Sequence, residues 1–251
     1  MPTKIILILS GKGGIGKSSM TAMIAQSLSL KYSVGILDVD LCGPSQSRMM
    51  GKIDSKVKMT ENGWEPVMAG TIAMMSISFM LTSTDTPVIW RGPKKNAMIM
   101  QFISQTNWPQ LDYLLIDTPP GTSDEHLTIV EYLQMNPLKN NTTGSLEALI
   151  VTTPQKIACN DVKKELMFCH RVGLPVIGVI ENMSGYSCPY CKTCSHIYSK
   201  KSFVEEMCKQ FNVKLIGKIP ILPSLSKALD SGQAVDLRND VIVDLLTALD
   251  I

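Results

Sequence analysis

The sequence predicts an α/β protein built on a doubly wound, mostly parallel sheet with helices on both faces. Three observations support this prediction. Short runs that are apolar at every position recur along the chain, as strands buried on both faces should. Segments with apolar residues at helical spacing lie between these runs. The first run also leads directly into a glycine-rich loop and then a helical segment.

The first half of the chain starts with the continuous apolar run at residues 5–9, which predicts a buried strand. Apolar residues then recur at helical spacing through residues 20–28 and predict the first helix. Residues 34–38 form a second apolar run, which ends in an aspartate. Residues 64–68 and 73–77 predict short strands or an excursion from the sheet.

The rest of the chain continues to alternate between predicted strands and predicted helices. An amphipathic helix is predicted over about residues 93–105, and an apolar run at 111–117 again ends in an aspartate. Prolines and a glycine at residues 119–121 require a tight turn before the next helix, and 136–145 is a polar loop. Further strands are predicted at 147–152, 174–180 and 213–219, and helices at 123–134, 155–171, 201–212 and 238–249.

Length and composition favour one large domain, residues 1–251, over two small ones. The hydrophobic share is 45%, enough for a sizeable core, and the net charge of +2 implies no nucleic-acid or membrane partner. The first apolar run is too short for a secretory signal, and the run at residues 71–81 is too short to span a bilayer. We therefore expect a cytoplasmic protein.

A phosphate-binding loop is predicted at residues 11–18, which match the pattern G-x-x-x-x-G-K-S/T. Glycines let backbone N–H groups approach an anion, and the next helix points its positive end at the same phosphates. Lys17 can reach the outer phosphates, and the Ser18 hydroxyl can hold Mg²⁺. The predicted nucleotide contacts in this stretch are Gly11, Lys12, Gly13, Gly14, Ile15, Gly16, Lys17, Ser18 and Ser19.

A second lysine in this loop, Lys12, is not needed by an ordinary phosphate loop. With it, the loop resembles the deviant Walker A pattern K-G-G-x-G-K-S/T. The resemblance implies that Lys12 crosses a dimer interface and contacts the nucleotide of the partner subunit. The alternative is a solvated loop lysine.

Three aspartates follow predicted strands. Asp38 and Asp40 follow the second strand, and Asp117 ends the strand at 111–117. Carboxylates at strand tips beside a phosphate loop suit Mg²⁺ binding and the positioning of water. The alternative is that Asp38 and Asp40 cap the next helix. The spacing of residues assigns no role to Arg91, and the alternative is that it is a surface arginine.

Six of the seven cysteines fall into two groups. Of the seven, Cys159, Cys169 and Cys208 lie in helical patterns and are expected to be core residues. Three others fall with His196 in a Cys-rich loop at about residues 184–199, which indicates metal chemistry. Two alternatives remain open: a structural zinc site made of three cysteines and the histidine, or a labile iron–sulfur cluster completed by a second subunit. The cysteines of this loop are Cys188, Cys191 and Cys194.

Taken together, five segments resemble the Mrp/NBP35 family of iron–sulfur cluster carrier ATPases over nearly the whole chain. They are K-G-G-I-G-K-S, D-V-D-L-C-G-P-S, W-R-G-P, I-D-T-P-P-G-T and V-I-E-N-M-S-G followed by C-x-x-C. The chain is most similar to the short cytosolic branch. The resemblance implies a P-loop ATPase that hydrolyses ATP slowly and assembles a 4Fe–4S cluster at a dimer interface. It also implies transfer of that cluster to apoproteins, by a homodimer or by a heterocomplex with a longer NBP35-type paralogue.

The resemblance also implies roles for individual residues. Lys17 and Ser18 would hold phosphate and Mg²⁺, and Lys12 would act in trans. Asp40 would position water, with Asp38 and Asp117 near Mg²⁺. Asn182 would lie near the adenine, and Cys188 with Cys191 would bind the cluster.

Two other functions compete with this one. A partition or positioning ATPase shares the deviant phosphate loop, but a membrane-positioning type needs a basic C-terminal helix. Residues 241–251 carry two aspartates and no base. A nucleotide-dependent metallochaperone with a structural zinc site is the other alternative, and the absence of an N-K-x-D sequence favours ATP over GTP.

Overall fold

The computed structural model describes residues 2–81, 90–135, 144–188, 190–191, 194–195, 197–198, 203–238 and 240–249. The strands are β1 Lys4–Leu9, β2 Val34–Asp38, β3 Lys58–Thr60, β4 Gly63–Glu65, β5 Val67–Ala69, β6 Ile72–Ser76, β7 Tyr113–Asp117, β8 Ser145–Thr152, β9 Val176–Ser187, β10 Cys194–Ser195 and β11 Leu215–Ile221. The helices are α1 Lys17–Leu28, α2 Gln46–Met49, α3 Gly92–Gln105, α4 Asp124–Met135, α5 Lys156–Val172, α6 Phe203–Phe211, α7 Pro223–Asp230 and α8 Asp240–Ala248.

The central sheet confirms the predicted doubly wound α/β architecture. Its strand order is β11-β9-β8-β1-β7-β2-β6-β5, and all neighbouring pairs in this series are parallel except β5 with β6. The short β10 pairs antiparallel with the far end of β9. Helices α3 to α6 pack on one face of the sheet, and α1, α7 and α8 pack on the other.

The strand order reverses around β1. The chain leaves β1 through α1 to reach β2 on one side, and it later returns to place β8 on the other side. Ligands of open α/β sheets bind at the carboxyl ends of strands at such a reversal. Strand register brings Ile8, Asp38 and Asp117 to the same level at this edge, because Asp117 pairs with both other residues.

Some elements differ from the prediction. Helices α2 and α7 were not predicted, since both are short and carry few apolar residues. Strand β9 continues seven residues beyond the predicted end at 180, so residues 184–187 are a strand and not a loop. Strand β11 also continues through Pro220, which an edge strand tolerates because one side of its backbone needs no ladder partner.

Other expectations are met. Most of residues 64–68 and 73–77 fall on the short strands β4, β5 and β6, while Ile77 begins a 3-10 turn, Ile77–Phe79. Cys159, Cys169 and Cys208 are buried in the core. Arg91 is exposed at the start of α3. The predicted loop at 136–145 lies largely outside the described residues, as do His196 and the side chain of Cys194.

One carboxyl in the core lacks a hydrogen-bond partner. Glu165 on α5 is 0% exposed, and neither of its oxygens meets a donor among the residues that the structure describes. Burial, with a smaller effect of the Asp161 charge, raises the pKa of Glu165 from 4.5 to about 7. The charged form is therefore disfavoured in the folded protein.

We expect Glu165→Gln to stabilise the protein at pH 8 by up to about 3 kcal/mol. In the wild type, the folded pKa lies above the unfolded one, so stability is highest below about pH 4.5 and falls as pH rises towards 7. The gain should therefore fall below about 1 kcal/mol at pH 5. Urea unfolding at both pH values measures it.

The matched control for this measurement is Glu131→Gln, at an exposed position on α4. It should change the free energy of unfolding by less than about 0.5 kcal/mol at either pH. A Glu165→Gln variant that is no more stable than wild type at pH 8 would show that the carboxyl is satisfied in the folded chain.

Candidate nucleotide-binding site

The phosphate loop lines a cavity at the carboxyl end of β1. This cavity of about 370 Å³ takes in residues 12–19 of the predicted loop, together with Asp40, Pro120 and Met183. The N-terminus of α1 begins at Lys17, immediately after the loop, so its free N–H groups and positive dipole end face the cavity. The geometry suits an anion such as a nucleotide phosphate.

Gly16 shows why the loop needs a glycine at this position. Its φ of +86° belongs to the left-handed region, which other residues rarely adopt. A Cβ there would also lie 2.2 Å from the Asn182 amide nitrogen. That amide donates a 2.8 Å hydrogen bond to the carbonyl of Ile15. Asn182 therefore anchors the phosphate loop through this hydrogen bond. Its predicted contact with adenine stays a prediction.

Lys17 does not point freely into the cavity. Its ammonium forms a buried ion pair with the carboxylate of Asp117, and the two side chains are 6% and 0% exposed. Thr21 and Gln46 also donate to Asp117, at 3.2 and 2.8 Å. Because this carboxylate is fully buried, it needs these donors to remain charged. A bound phosphate would compete with Asp117 for Lys17.

Asp38 lies beside Asp117 beneath the cavity. Its two oxygens accept the backbone N–H groups of Asp40, Ser45 and Gln46 at 3.1 to 3.2 Å. Ser45 and Gln46 stand at the N-terminus of α2, so Asp38 caps this short helix, as the alternative expectation had it. Burial first, and then the charge of Asp117, raises the pKa of Asp38 to about 8, against a lowering effect of Lys17. Burial therefore favours the neutral form of Asp38 in this structure. The predicted role of Asp38 near Mg²⁺ stays a prediction.

Asp40 is the aspartate that reaches the cavity wall. Its Oδ1 accepts the backbone N–H of Gly43 at 3.1 Å, which fixes the side chain at the end of the loop after β2. Ser18 lines the same cavity. The arrangement brings a carboxylate, a hydroxyl and the loop N–H groups around one space, as the positioning of Mg²⁺ and an attacking water requires.

Lys12 is held within its own chain. Its ammonium lies 2.9 Å from Asp161 on α5, and its side chain is 40% exposed. Hydrogen bonds from Lys12 and then Lys164 lower the pKa of Asp161. The loop packs closely here, because a Cβ on Gly11 would lie 2.6 Å from the Cβ of Asp161. Exposed ion pairs of this kind contribute little, so a partner chain can displace this one.

The predicted cluster ligands lie on a hairpin that extends from β9. Cys188 directly follows the strand and is half-buried, and Cys191 is exposed. Strand β10, Cys194–Ser195, pairs back onto Tyr186 and Ser187. Within the described part of the chain, no three His, Cys, Asp or Glu residues are placed to hold a metal ion. Two accessible thiols on one chain fit a soft metal centre that draws further ligands from elsewhere.

Several site residues were missed by sequence reasoning. Gln46 bridges the Ser18 carbonyl and Asp117, Thr21 donates to Asp117, and Asp161 pairs with Lys12. None of these belongs to a pattern that predicts a phosphate loop. For Gln46 and Asp161, only the three-dimensional pairing of elements distant in sequence identifies them.

Comparison with known proteins places these observations in a family. The family model described as "ParA: NUBPL iron-transfer P-loop NTPase" matches residues 2–246. A cytosolic Fe-S cluster assembly factor NUBP2 homolog from Dictyostelium discoideum is 51% identical over 231 residues, 90% of this chain and 84% of that protein. A cytosolic Fe-S cluster assembly factor Nubp1 homolog from Drosophila willistoni is 45% identical over 249 residues, 97% of this chain and 79% of that protein.

Solved structures agree on the fold. A nucleotide-binding protein from Archaeoglobus fulgidus, in complex with ADP, superposes with a TM-score of 0.78 at 32% identity, covering 93% of this chain and 88% of that one. The septum site-determining protein MinD from Pyrococcus horikoshii, in complex with Mg-ADP, gives a TM-score of 0.61 at 20% identity, covering 98% and 94%. The second likeness supports the fold alone.

We expect Lys17→Gln to weaken binding of Mg-ADP and Mg-ATP about 10- to 150-fold. The reason is that a hydrogen bond to a charged group contributes about 1.5–3 kcal/mol. Glutamine is chosen because its amide can still donate to the buried Asp117. Isothermal titration calorimetry on the isolated chain measures the affinity, and circular dichroism checks folding.

The matched control for the loop lysine is Lys12→Gln. Because Lys12 pairs with Asp161 on the same chain, its loss should change the affinity of a single chain by less than about threefold. Unchanged nucleotide affinity in a folded Lys17→Gln protein would contradict the loop assignment.

Proposed function

The chain belongs to the NUBPL iron-transfer P-loop NTPase family, and from this membership we propose that it is an ATP-hydrolysing scaffold for iron–sulfur clusters. It assembles a 4Fe–4S cluster at a dimer interface and passes it to apoproteins in the cytosol, where its curated relatives are named as acting. Residues 1–251 work as one unit in this proposal, since a single sheet takes its strands from Lys4 to Ile221.

One observation carries the proposal: a single strand joins the nucleotide cavity to the cysteine pair. On β9, Asn182 binds the phosphate loop and Met183 lines the cavity. Cys188 follows five residues later, about 16 Å along an extended chain. Met183 has a φ of +55°, an uncommon conformation for a residue other than glycine, so the strand is held bent at the cavity. A change at the phosphate loop can thus be transmitted to the thiols through one rigid element.

The nucleotide half of the cycle uses residues described above. Lys17 leaves Asp117 for the outer phosphates. Ser18, Asp38 and Asp117 would hold Mg²⁺, which would supply positive charge to the phosphates. Asp40 orients the attacking water from the cavity wall. Lys12 leaves Asp161 and contacts the nucleotide of the other subunit.

The cluster is cargo and not a fixed part of the protein. A four-iron cluster normally takes four thiolates, so two chains that each supply Cys188 and Cys191 meet the count. Both thiols are at least partly accessible, which suits a cluster that must be handed on. The second chain is a copy of this one or a longer NBP35-type paralogue, and the recipients are apo iron–sulfur proteins. No helix of the described residues could cross a membrane.

We expect Cys188→Ser and Cys191→Ser each to abolish stable cluster binding while leaving nucleotide affinity unchanged. Anaerobic reconstitution of the wild type should give about two irons and two sulfides per chain, because one four-iron cluster serves two chains. Cys42→Ser is the matched control, since Cys42 is also exposed but lies in the loop after β2. The cluster content is measured by iron and sulfide analysis and by absorbance near 400 nm.

The same variants test the zinc alternative. A structural zinc site predicts bound zinc and a lower melting temperature when any of Cys188, Cys191, Cys194 or His196 is replaced. Full, stable cluster content in Cys188→Ser would rule out the bridging arrangement.

We expect Lys12→Ala and Asp40→Asn to complement each other when the two proteins are mixed. Alone, Asp40→Asn should bind ATP but lose about 10²–10⁴-fold in turnover, the usual contribution of such a group. In a mixed dimer, one site has an intact Asp40 in its own chain and an intact Lys12 from the partner. ATP turnover of the mixture should exceed that of either variant. Formation of mixed dimers without any gain in turnover would exclude the action of Lys12 in trans.

A further inference from the structure

Gln46, the first residue of α2, lies between the phosphate loop and the two buried aspartates. It is 0% exposed. Its Nε2 group donates to the Ser18 carbonyl at 3.0 Å and to Asp117 Oδ2 at 2.8 Å. Its backbone N–H donates to Asp38 at 3.2 Å. Gln46 therefore contacts all three residues that would hold Mg²⁺.

The orientation of the Gln46 amide follows from its neighbours. The Ser18 carbonyl can only accept hydrogen bonds, and so can the Asp117 carboxylate that pairs with Lys17. The atom between them must be the nitrogen, because the amide oxygen would face two acceptors. An amide nitrogen carries two hydrogens, and these two bonds use both of them. Only the amide oxygen is left.

The remaining oxygen, Oε1, is buried and meets no donor among the residues that the structure describes. Lys17 and Thr21 both donate to Asp117 and not to this atom. An unmet buried acceptor is destabilising and requires an explanation. A donor that arrives with the ligand of the neighbouring cavity supplies one.

The hydration shell of Mg²⁺ contains donors of this kind. Mg²⁺ dehydrates reluctantly, so it keeps several waters when it binds carboxylates and phosphates. The lone pairs of these waters face the metal, and their hydrogens therefore need acceptors close by. The Gln46 amide oxygen offers an acceptor without adding a third carboxylate to the buried pair. The side chains present thus fit a hydrated Mg²⁺ ion.

We propose that Gln46 is a positioning residue of the magnesium–nucleotide site, whose Oε1 accepts a hydrogen bond from a water of the Mg²⁺ hydration shell. It contacts neither the nucleotide nor the metal itself. The inference rests on the nucleotide half of the proposed function, since Ser18, Asp38 and Asp117 are the Mg²⁺ residues there. If Gln46 served only to hold Asp117 and the loop, its loss would weaken ADP binding equally with and without Mg²⁺.

We expect Gln46→Met to reduce the effect of Mg²⁺ on ADP affinity. The quantity to measure is the ratio of the ADP Kd in EDTA to the ADP Kd in MgCl₂, by isothermal titration calorimetry on the full chain. This ratio should fall about 3- to 10-fold, the usual contribution of one hydrogen bond. Methionine is chosen because it is unbranched and flexible but carries no amide.

Two control variants isolate the contribution of Oε1. Thr21→Val also removes a donor to Asp117 but leaves Oε1 in place, so it should not lower the ratio. Gln26→Met removes a partly buried glutamine amide from α1, where it contacts Met50 and Val235. It should leave the ratio unchanged. Melting temperatures without nucleotide show whether each variant folds.

A ratio in Gln46→Met equal to that of wild type would overturn the proposal. An equal fall in Thr21→Val would also overturn it, because Gln46 would then act only through Asp117. If Gln46→Met does not fold, a crystal structure of the wild type with Mg-ADP decides. A water of the Mg²⁺ shell within hydrogen-bond distance of Oε1 would support the proposal, and its absence would overturn it. ADP binding needs no cluster, so a failure to bind iron and sulfide would count against the proposed function alone.

Discussion

The ion pair between Lys17 and Asp117 is the interaction on which the candidate site depends. A carboxylate that is 0% exposed needs donors around it, and here the donors come from two helices. Lys17 and Thr21 belong to α1, Gln46 belongs to α2, and Asp117 ends β7. Satisfying one buried charge therefore sets the position of the first helix and the short helix relative to the sheet. The loop between β1 and α1 is shaped as a consequence, because both of its ends are fixed.

The sequence predicted the parts of the fold that depend on local patterns. Continuous apolar runs located β1, β2, β7 and β8, because strands covered by helices on both faces carry apolar residues throughout. The glycine pattern located the phosphate loop, because a positive φ at Gly16 excludes most other residues. Helices α2 and α7 escaped prediction since their few apolar residues give little helical periodicity, and they form through contacts with each other and with α1.

The site contacts that could not be predicted join residues far apart in the chain. Asn182 meets Ile15 across 167 positions, and Gln46 meets Asp117 across 71. Each side chain is an ordinary polar residue in its own segment, and only the strand order and register give it a partner. The same holds for Lys12: its pattern indicates an unusual lysine, but the pattern says nothing of Asp161, which lies on the helix after β8. The sequence pattern of a loop predicts its chemistry. The topology of the fold determines which side chains hold that loop in place.

The strand that joins the phosphate loop to the cysteine pair sets the distance between them. Met183 has a left-handed φ, and the pairing of β9 with β11 shifts register beyond Asn182, so this stretch is not a regular strand. Its shape therefore depends on the number of residues between Met183 and Cys188. Each inserted residue would move the thiols about 3 Å further from the cavity and would alter the bend. Length variation in this segment is therefore far less tolerable than substitution.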